Sequence, residues 1–321
     1  MRRVCIFTVF LPLAFAQDPK KDPDQIGTRD VSKGVNFYSL QKEMNLGKQL
    51  ALEVEKNHKV LSDVGVNEYV NRIGQNLGRH SDSKIALTFK VIEGDEPNAI
   101  TLPGGFIYVQ TGLIKIADTE AQLAGALAHE IGHVAARHGT RQATQSQIGQ
   151  AATIPLIFLP GWGGLCGLAA NRFLAPTAFL AAQRGYEREA DLLGIQYLYK
   201  AGYDPLGMVE ILERIFSLED RKQGKSGGLT STHPGGDDRL VTVQKNIEEI
   251  LKDQPQYIVT TSAFNDMQIH LISLDWNKKP EEAGPKPPTL LKAGEQVAGA
   301  KNFVPQSQAH ASQIKEAYTI R

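Results

Sequence analysis

His129 and His133 stand four residues apart, with Glu130 directly after the first, in the stretch LAHEIGHVAARHG at residues 127–139. On an α-helix, residues four apart differ by only about 40° in direction and about 6 Å along the axis. Both imidazoles then leave one side of the helix and can grip a single divalent cation. Glu130 lies beside them, close enough to meet a water on such a cation but poorly placed to be a third ligand. Two neutral imidazoles with a carboxylate that can take a proton from water suit metal-assisted hydrolysis. The competing reading is a solvated helix face that happens to carry polar residues. Its neighbours argue against it, because Ala124, Leu127, Ala128, Ile131, Val134 and Ala135 surround the histidines on nearly every side. Such a helix is expected to be buried, and buried imidazoles and carboxylates need partners that a metal supplies.

A catalytic zinc takes a third protein ligand and keeps one position open. The segment Tyr186-Glu187-Arg188-Glu189-Ala190-Asp191 offers candidates. Glu187 and Asp191 share a helix face, whereas Glu189 points elsewhere. One of the pair could ligate while the other holds a ligand histidine from behind. A charged helix face with Arg184 and Arg188 fits the same spacing. His138 falls about 180° round the helix from His129 and reads as a C-terminal cation facing the helix dipole. His58, His80, His270 and His310 have no companion pattern and read as surface or packing residues; Cys166 reads as a small buried side chain.

The elements that must position these residues are legible from periodicity and punctuation. Thr119-Glu120-Ala121-Gln122 fits a capping box, Leu123, Leu127, Ile131 and Val134 form an apolar stripe, and Gly139 supplies a stop. A second long helix is expected from about Ala178 to Ala201, ending at Gly202-Tyr203-Asp204-Pro205. Upstream, Leu46, Leu50 and Val54 recur at helical spacing, predicting one long helix and the start of another between Asn36 and about Val70. Ile85, Leu87, Phe89 and Val91 alternate as in a strand, and Phe106–Val109 reads as a second strand after the Pro103-Gly104-Gly105 turn. Between the two long helices no charged residue occurs from Ala143 to Asn171, yet Pro155, Pro160, Gly161, Gly163 and Gly164 interrupt the run. It reads as a buried or site-covering insert, or as a segment resting on a membrane surface, and fits a straight span poorly.

The chain has 321 residues, 41% of them apolar and 22% charged, an ordinary globular composition. Lys+Arg and Asp+Glu both number 35, so no charge excess points to nucleic acid. Residues 1–16, MRRVCIFTVFLPLAFA, combine Arg2 and Arg3, an apolar run and a small-residue Ala14-Phe15-Ala16 box. This is the pattern of a secretory signal peptide cleaved near Ala16, which predicts an exported protein, periplasmic or secreted. Cleavage would leave Cys166 as the lone thiol, so no intrachain disulfide is expected. Residues 17–34 read as a disordered lead-in, 35–276 as the folded domain and 277–321 as a flexible polar tail, with no repeat of an attached helical module.

Four blocks together carry a family resemblance: Asn98-Ala99-Ile100-Thr101-Leu102-Pro103-Gly104-Gly105, His129–His138, Glu187–Asp191, and Thr232-His233-Pro234 with Arg239. Over roughly residues 36–275 the chain resembles the zinc metallopeptidase family of CAAX prenyl proteases, HtpX and BepA-like periplasmic peptidases. The resemblance implies an α+β fold, a mainly helical zincin-like domain with a small β-sheet beside the active-site helix. It further implies one Zn²⁺ per chain on His129, His133 and Glu187, with Glu130 as general base and Asp191 holding a ligand histidine. His233 would occupy the fourth position in a latent state, Arg239 would stabilise charge near the site or pair with a carboxylate, and Asn98, Ala99, Gly104 and Gly105 would lie on the substrate side. The chain departs from family members with several membrane spans and from those with a helical-repeat tail. The function so implied is an exported zinc endopeptidase for unfolded or misassembled proteins, pairing an extended substrate with the strand around Phe106–Val109. A periplasmic chaperone or assembly factor with a closed or structural zinc site is the rival, and a zinc hydrolase of non-peptide amides a third reading. Expected partners are protein or peptide substrates and, through residues 151–170, a membrane surface, but not nucleic acid.

Overall fold

Thr119 begins a helix that is buried along nearly its whole length. Its hydroxyl accepts the backbone N–H of Gln122 at 3.2 Å, and the Gln122 carboxamide oxygen accepts the N–H of Asp118 at 2.8 Å. The reciprocal half of the capping box therefore engages one residue earlier than the sequence pattern implies. In this computed structural model, which describes residues 18–149, 177–223 and 237–278, that helix is α4. The expectations for residues 1–16, the insert at 151–170, Cys166, the Thr232-His233-Pro234 block, His310 and the tail beyond Lys278 fall outside the described residues.

In chain order the elements are α1 (Leu40–Asn57), α2 (Val64–Arg79), β1 (Thr88–Ile92), β2 (Ala99–Leu102), β3 (Phe106–Gln110), α3 (Thr111–Ile116), α4 (Glu120–Ala135), α5 (His138–Gly149), α6 (Thr177–Lys200), α7 (Leu206–Gln223), α8 (Asp237–Ile250) and α9 (Ser262–Lys278). The architecture is thus mainly helical with one small sheet, an α+β zincin-like domain. Leu123, Ala124, Leu127, Ala128 and Ile131 of α4 have no exposed surface, as befits a helix apolar all round. α6 and α7 pack along it, with α2 and β2 on other sides. The α4–α6 crossing is close: a Cβ built on Gly132 would lie 2.7 Å from the Ala190 carbonyl oxygen. Small residues at this crossing let short carboxylate side chains on α6 reach imidazoles on α4. No helix among the described residues is long and apolar enough to cross a membrane.

The sheet has the order β1-β3-β2, with β3 parallel to β1 and antiparallel to β2. Because β3 has a partner on each side, substrate cannot add to Phe106–Val109 as the sequence reading supposed; the outer edge belongs to β2. The β1 strand starts at Thr88 rather than Ile85, since its partner β3 begins only after the turn and Thr88 N–H already bonds to Gly105 O at 2.8 Å.

Two further expectations are corrected. The end of α4 falls at Ala136-Arg137, not at Gly139, which lies within α5. Arg137 takes the left-handed conformation, φ 56°, that usually favours glycine. A non-glycine residue there costs about 1–2 kcal/mol, and Arg137 is held by donating to Glu43 Oε2 at 2.7 Å and to Tyr38 O at 2.6 Å. Within residues 17–34, read as disordered from their polar composition, the described residues from 18 include two single-turn 3₁₀ helices, Pro19–Lys21 and Pro23–Gln25, the second packed against α6 and the first bonded to it through Gln196. Their polar groups are the contacts: buried Arg29 donates to Asp82, to Gln196 and to the backbone oxygens of Pro19, Lys20 and Asp22.

Candidate metal centre and active site

The helical spacing of four puts His129 Nε2 and His133 Nε2 3.0 Å apart. From α6, Glu187 brings Oε2 to 3.4 Å from His129 Nε2 and Oε1 to 3.5 Å from His133 Nε2. One donor atom from each of the three residues lies within 4.8 Å of the others, so they could hold one metal ion. Two imidazoles and a carboxylate form a donor set suited to a borderline cation with an open position. Asp191, the other half of the pair left open by spacing, lies behind His129, accepting from Nδ1 at 2.8 Å.

Arg239 on α8 clamps this back wall. Its Nε and Nη2 donate to Asp191 at 2.6 and 2.8 Å, and its Nη1 lies 3.1 Å from Glu187 Oε2. Its guanidinium, expected to stabilise charge near the site or to pair with a carboxylate, is paired with two carboxylates of the site. Burial alone would raise the pKa of Asp191, but the charge and hydrogen bonds of Arg239, with those of His129, hold it below the ordinary carboxylate range. Burial pulls the His129 imidazole down, and the hydrogen bonds to Asp191 and Glu187 outweigh it, raising His129 to about 10. A cation entering the site must therefore displace a proton.

Glu130, 4% exposed, faces β2, where its Oε2 accepts from the Thr101 hydroxyl at 2.5 Å. Thr101 went unrecognised in the sequence, where only its place in the Asn98–Gly105 block was visible; its facing toward α4 depends on the sheet register. The main chain of Asn98 is occupied, its N–H bonding Glu96 O in the preceding turn and its carbonyl accepting from Gln110 of β3. Ala99 pairs with Val109 at the start of β2. Gly104 and Gly105, with φ of 81° and 87°, make the β2–β3 turn. Cβ atoms there would meet Met44 Cα at 2.9 Å and Ala86 O at 2.4 Å, so chain geometry accounts for both glycines without a ligand.

His138 also differs from expectation. Because α4 breaks at Arg137, His138 turns back beside His133, their Nδ1 atoms 2.9 Å apart, instead of lying on the opposite face. It lies buried between His133 and Glu189 rather than facing the end of the helix, and burial lowers its pKa. Glu189 accepts from His138 Nε2 at 3.0 Å and pairs with Arg141 and Lys20. Burial pushes its carboxyl up, but His138 and Lys20 prevail and hold it at about 2. His58, His80 and His270 lie on Val54 O, Asn76 O and Asp63, away from this group.

A HExxH helix joined by a carboxylate from a second helix, inside a mainly helical domain, defines the class as metallopeptidase. Residues 65–247, more than half of the chain, match Peptidase family M48, and the chain belongs to that family. It is 29% identical over 245 residues to the Beta-barrel assembly-enhancing protease of Escherichia coli (strain K12), covering 74% of this chain and 49% of that one. It is 31% identical over 253 residues to a Putative beta-barrel assembly-enhancing protease of Vibrio cholerae, with the same coverages. Mitochondrial metalloendopeptidase OMA1 of Schizosaccharomyces pombe is 30% identical over 183 residues, covering 56% of this chain and 53% of that one. The chain spans about half the length of these relatives.

Proposed function

We propose that the chain is an exported zinc endopeptidase that cleaves unfolded or misassembled proteins, in the periplasm or outside the cell. His129, His133 and Glu187 hold one Zn²⁺, and Glu130 is the general base. The observation that carries this reading is the convergence of two imidazole Nε2 atoms and one carboxylate within 4.8 Å, beside a second buried carboxylate. Bound Zn²⁺ supplies a Lewis acid that acidifies water and polarises the scissile carbonyl. Glu130 accepts the proton of the attacking water and returns it to the departing amine. Asp191 fixes the ring of His129 through Nδ1, and Arg239 keeps Asp191 ionised and orients Glu187.

An extended substrate runs along the outer edge of β2, bonded through main-chain groups, a mode that reads backbone more than side chain and so favours unfolded protein. Ala99 begins this edge, directly after Asn98. The names of the bacterial relatives make misassembled β-barrel proteins a candidate substrate class. We include latency through His233 and peripheral membrane contact through residues 151–170 in the proposal.

The test compares wild type, Glu130→Gln and His233→Ala, by metal analysis and digestion of an unfolded protein such as casein. Glu130→Gln is expected to retain zinc and lose cleavage, and His233→Ala to cleave faster than wild type. Wild-type cleavage rates in Glu130→Gln would overturn the general-base assignment. Stoichiometric zinc with no cleavage by either wild type or His233→Ala would favour a binding or assembly role.

A further inference from the structure

We propose that His138 and Glu189 are positioning residues for His133, forming an outer support that sets the metal affinity of the site. The proposal rests on the reading of His129, His133 and Glu187 as metal ligands. His133 Nε2 faces His129 Nε2 and the Glu187 carboxylate, so this is the nitrogen offered to a cation and must be bare. A neutral imidazole with a bare Nε2 carries its proton on Nδ1. That Nδ1 lies 2.9 Å from His138 Nδ1, which must then accept. His138 in turn carries its proton on Nε2, 3.0 Å from Glu189 Oε2, to which it donates. Each donor in the chain from His133 through His138 to Glu189 meets one acceptor.

The far end is anchored as well. Arg141 Nη1 lies 3.1 Å from Glu189 Oε2, and Lys20 from the N-terminal segment pairs with Glu189 Oε1. His138 is 3% exposed and its ring stands edge-on to His133, with centroids 4.9 Å apart and planes at 77°, while Tyr186 lies on it at 4.6 Å. His129 has the simpler version of the same support, its Nδ1 donating directly to Asp191, which Arg239 holds. Each ligand histidine is thus fixed from behind: His129 by a carboxylate, His133 by a second imidazole that ends on a carboxylate. Backing groups of this kind fix ring orientation and tautomer and commonly change metal affinity by about 10–100-fold.

The experiment measures zinc affinity of the full chain by competition with a chromophoric chelator, alongside the melting temperature of each metal-free form. Four proteins are compared: wild type, His138→Phe, His138→Asn and Glu189→Ala. Loss of the acceptor in His138→Phe is expected to weaken zinc binding about 10–100-fold, and Glu189→Ala to weaken it in the same direction. His138→Asn places an amide oxygen near the lost Nδ1 and should recover most of the affinity, which a purely space-filling role would not produce. The visible bands of the Co²⁺ derivative should shift in His138→Phe and return toward wild type in His138→Asn. Wild-type zinc affinity in a folded His138→Phe would overturn the proposal, as would an Asn variant no better than Phe. If His138→Phe does not fold, wild-type affinity in Glu189→Ala decides against it. A wild-type chain that binds no zinc would overturn the metal reading itself, an outcome distinct from a tight site indifferent to His138.

Discussion

Replacing Arg29 by methionine tests whether the N-terminal segment is part of the folded domain. Arg29 is 6% exposed; its Nε donates to Asp82 Oδ2 at 2.9 Å and its Nη1 to Gln196 Oε1 at 2.8 Å, with three backbone oxygens also within reach. Methionine keeps much of the apolar stem but removes the charge. Asp82, 3% exposed, is left as a buried anion supported by the Tyr197 hydroxyl at 2.9 Å and the Gly27 N–H at 2.8 Å. Removing one partner of a buried ion pair costs about 3–5 kcal/mol. For a domain of this size each kcal/mol moves the midpoint by about 2–4 °C, so the melting temperature should fall by roughly 6–20 °C. A disordered lead-in predicts a change within about 0.5 kcal/mol. Calorimetry on wild type, Arg29→Met and the double variant Arg29→Met with Asp82→Leu measures the effect, and removing both charges should restore part of the loss. A single variant that melts within about 2 °C of wild type would refute the reasoning, because the pair would then contribute less than about 1 kcal/mol.

Two other expectations follow from the site. His129, raised to about 10 without a cation, holds a proton that a cation must displace, so zinc affinity should rise about tenfold per pH unit from pH 7 to 9. The sign follows because the protonated form competes below its pKa and ceases to compete above it; chelator competition that is flat over this range would contradict the assignment. Thr101→Val removes the hydroxyl 2.5 Å from Glu130 Oε2 while Thr101→Ser keeps it. The valine variant should retain zinc and lose about tenfold in kcat, with serine restoring it; equal kcat in wild type and Thr101→Val would show that the contact does not orient Glu130.

Much of the candidate metal site was legible because a helix repeats every 3.6 residues, so spacing alone aligned His129 with His133 and Glu187 with Asp191. The apolar neighbours of the histidines were equally readable as a buried helix. Which carboxylate faced the imidazole Nε2 atoms was open, since two residues on one face differ only in height along the axis, and the α4–α6 crossing sets that height. The place of His138 was misread because a straight helix was assumed; the left-handed Arg137, held by Glu43 and Tyr38 from another part of the chain, reverses it. The lead-in was misread because polar composition alone does not reveal a buried partner such as Asp82 for Arg29.

By itself, then, the sequence determined what is periodic and local: the HExxH helix, the matching carboxylates, the capping at Thr119 and a mainly helical chain with a small sheet. Only the tertiary structure decided which strand presents an edge, which carboxylate turns inward, and which residues stand behind the ligands. The division has a physical cause. Periodicity and capping act within a few residues, whereas Thr101 with Glu130, His138 with Glu189 and Arg239 with Asp191 are contacts between elements that only packing brings together.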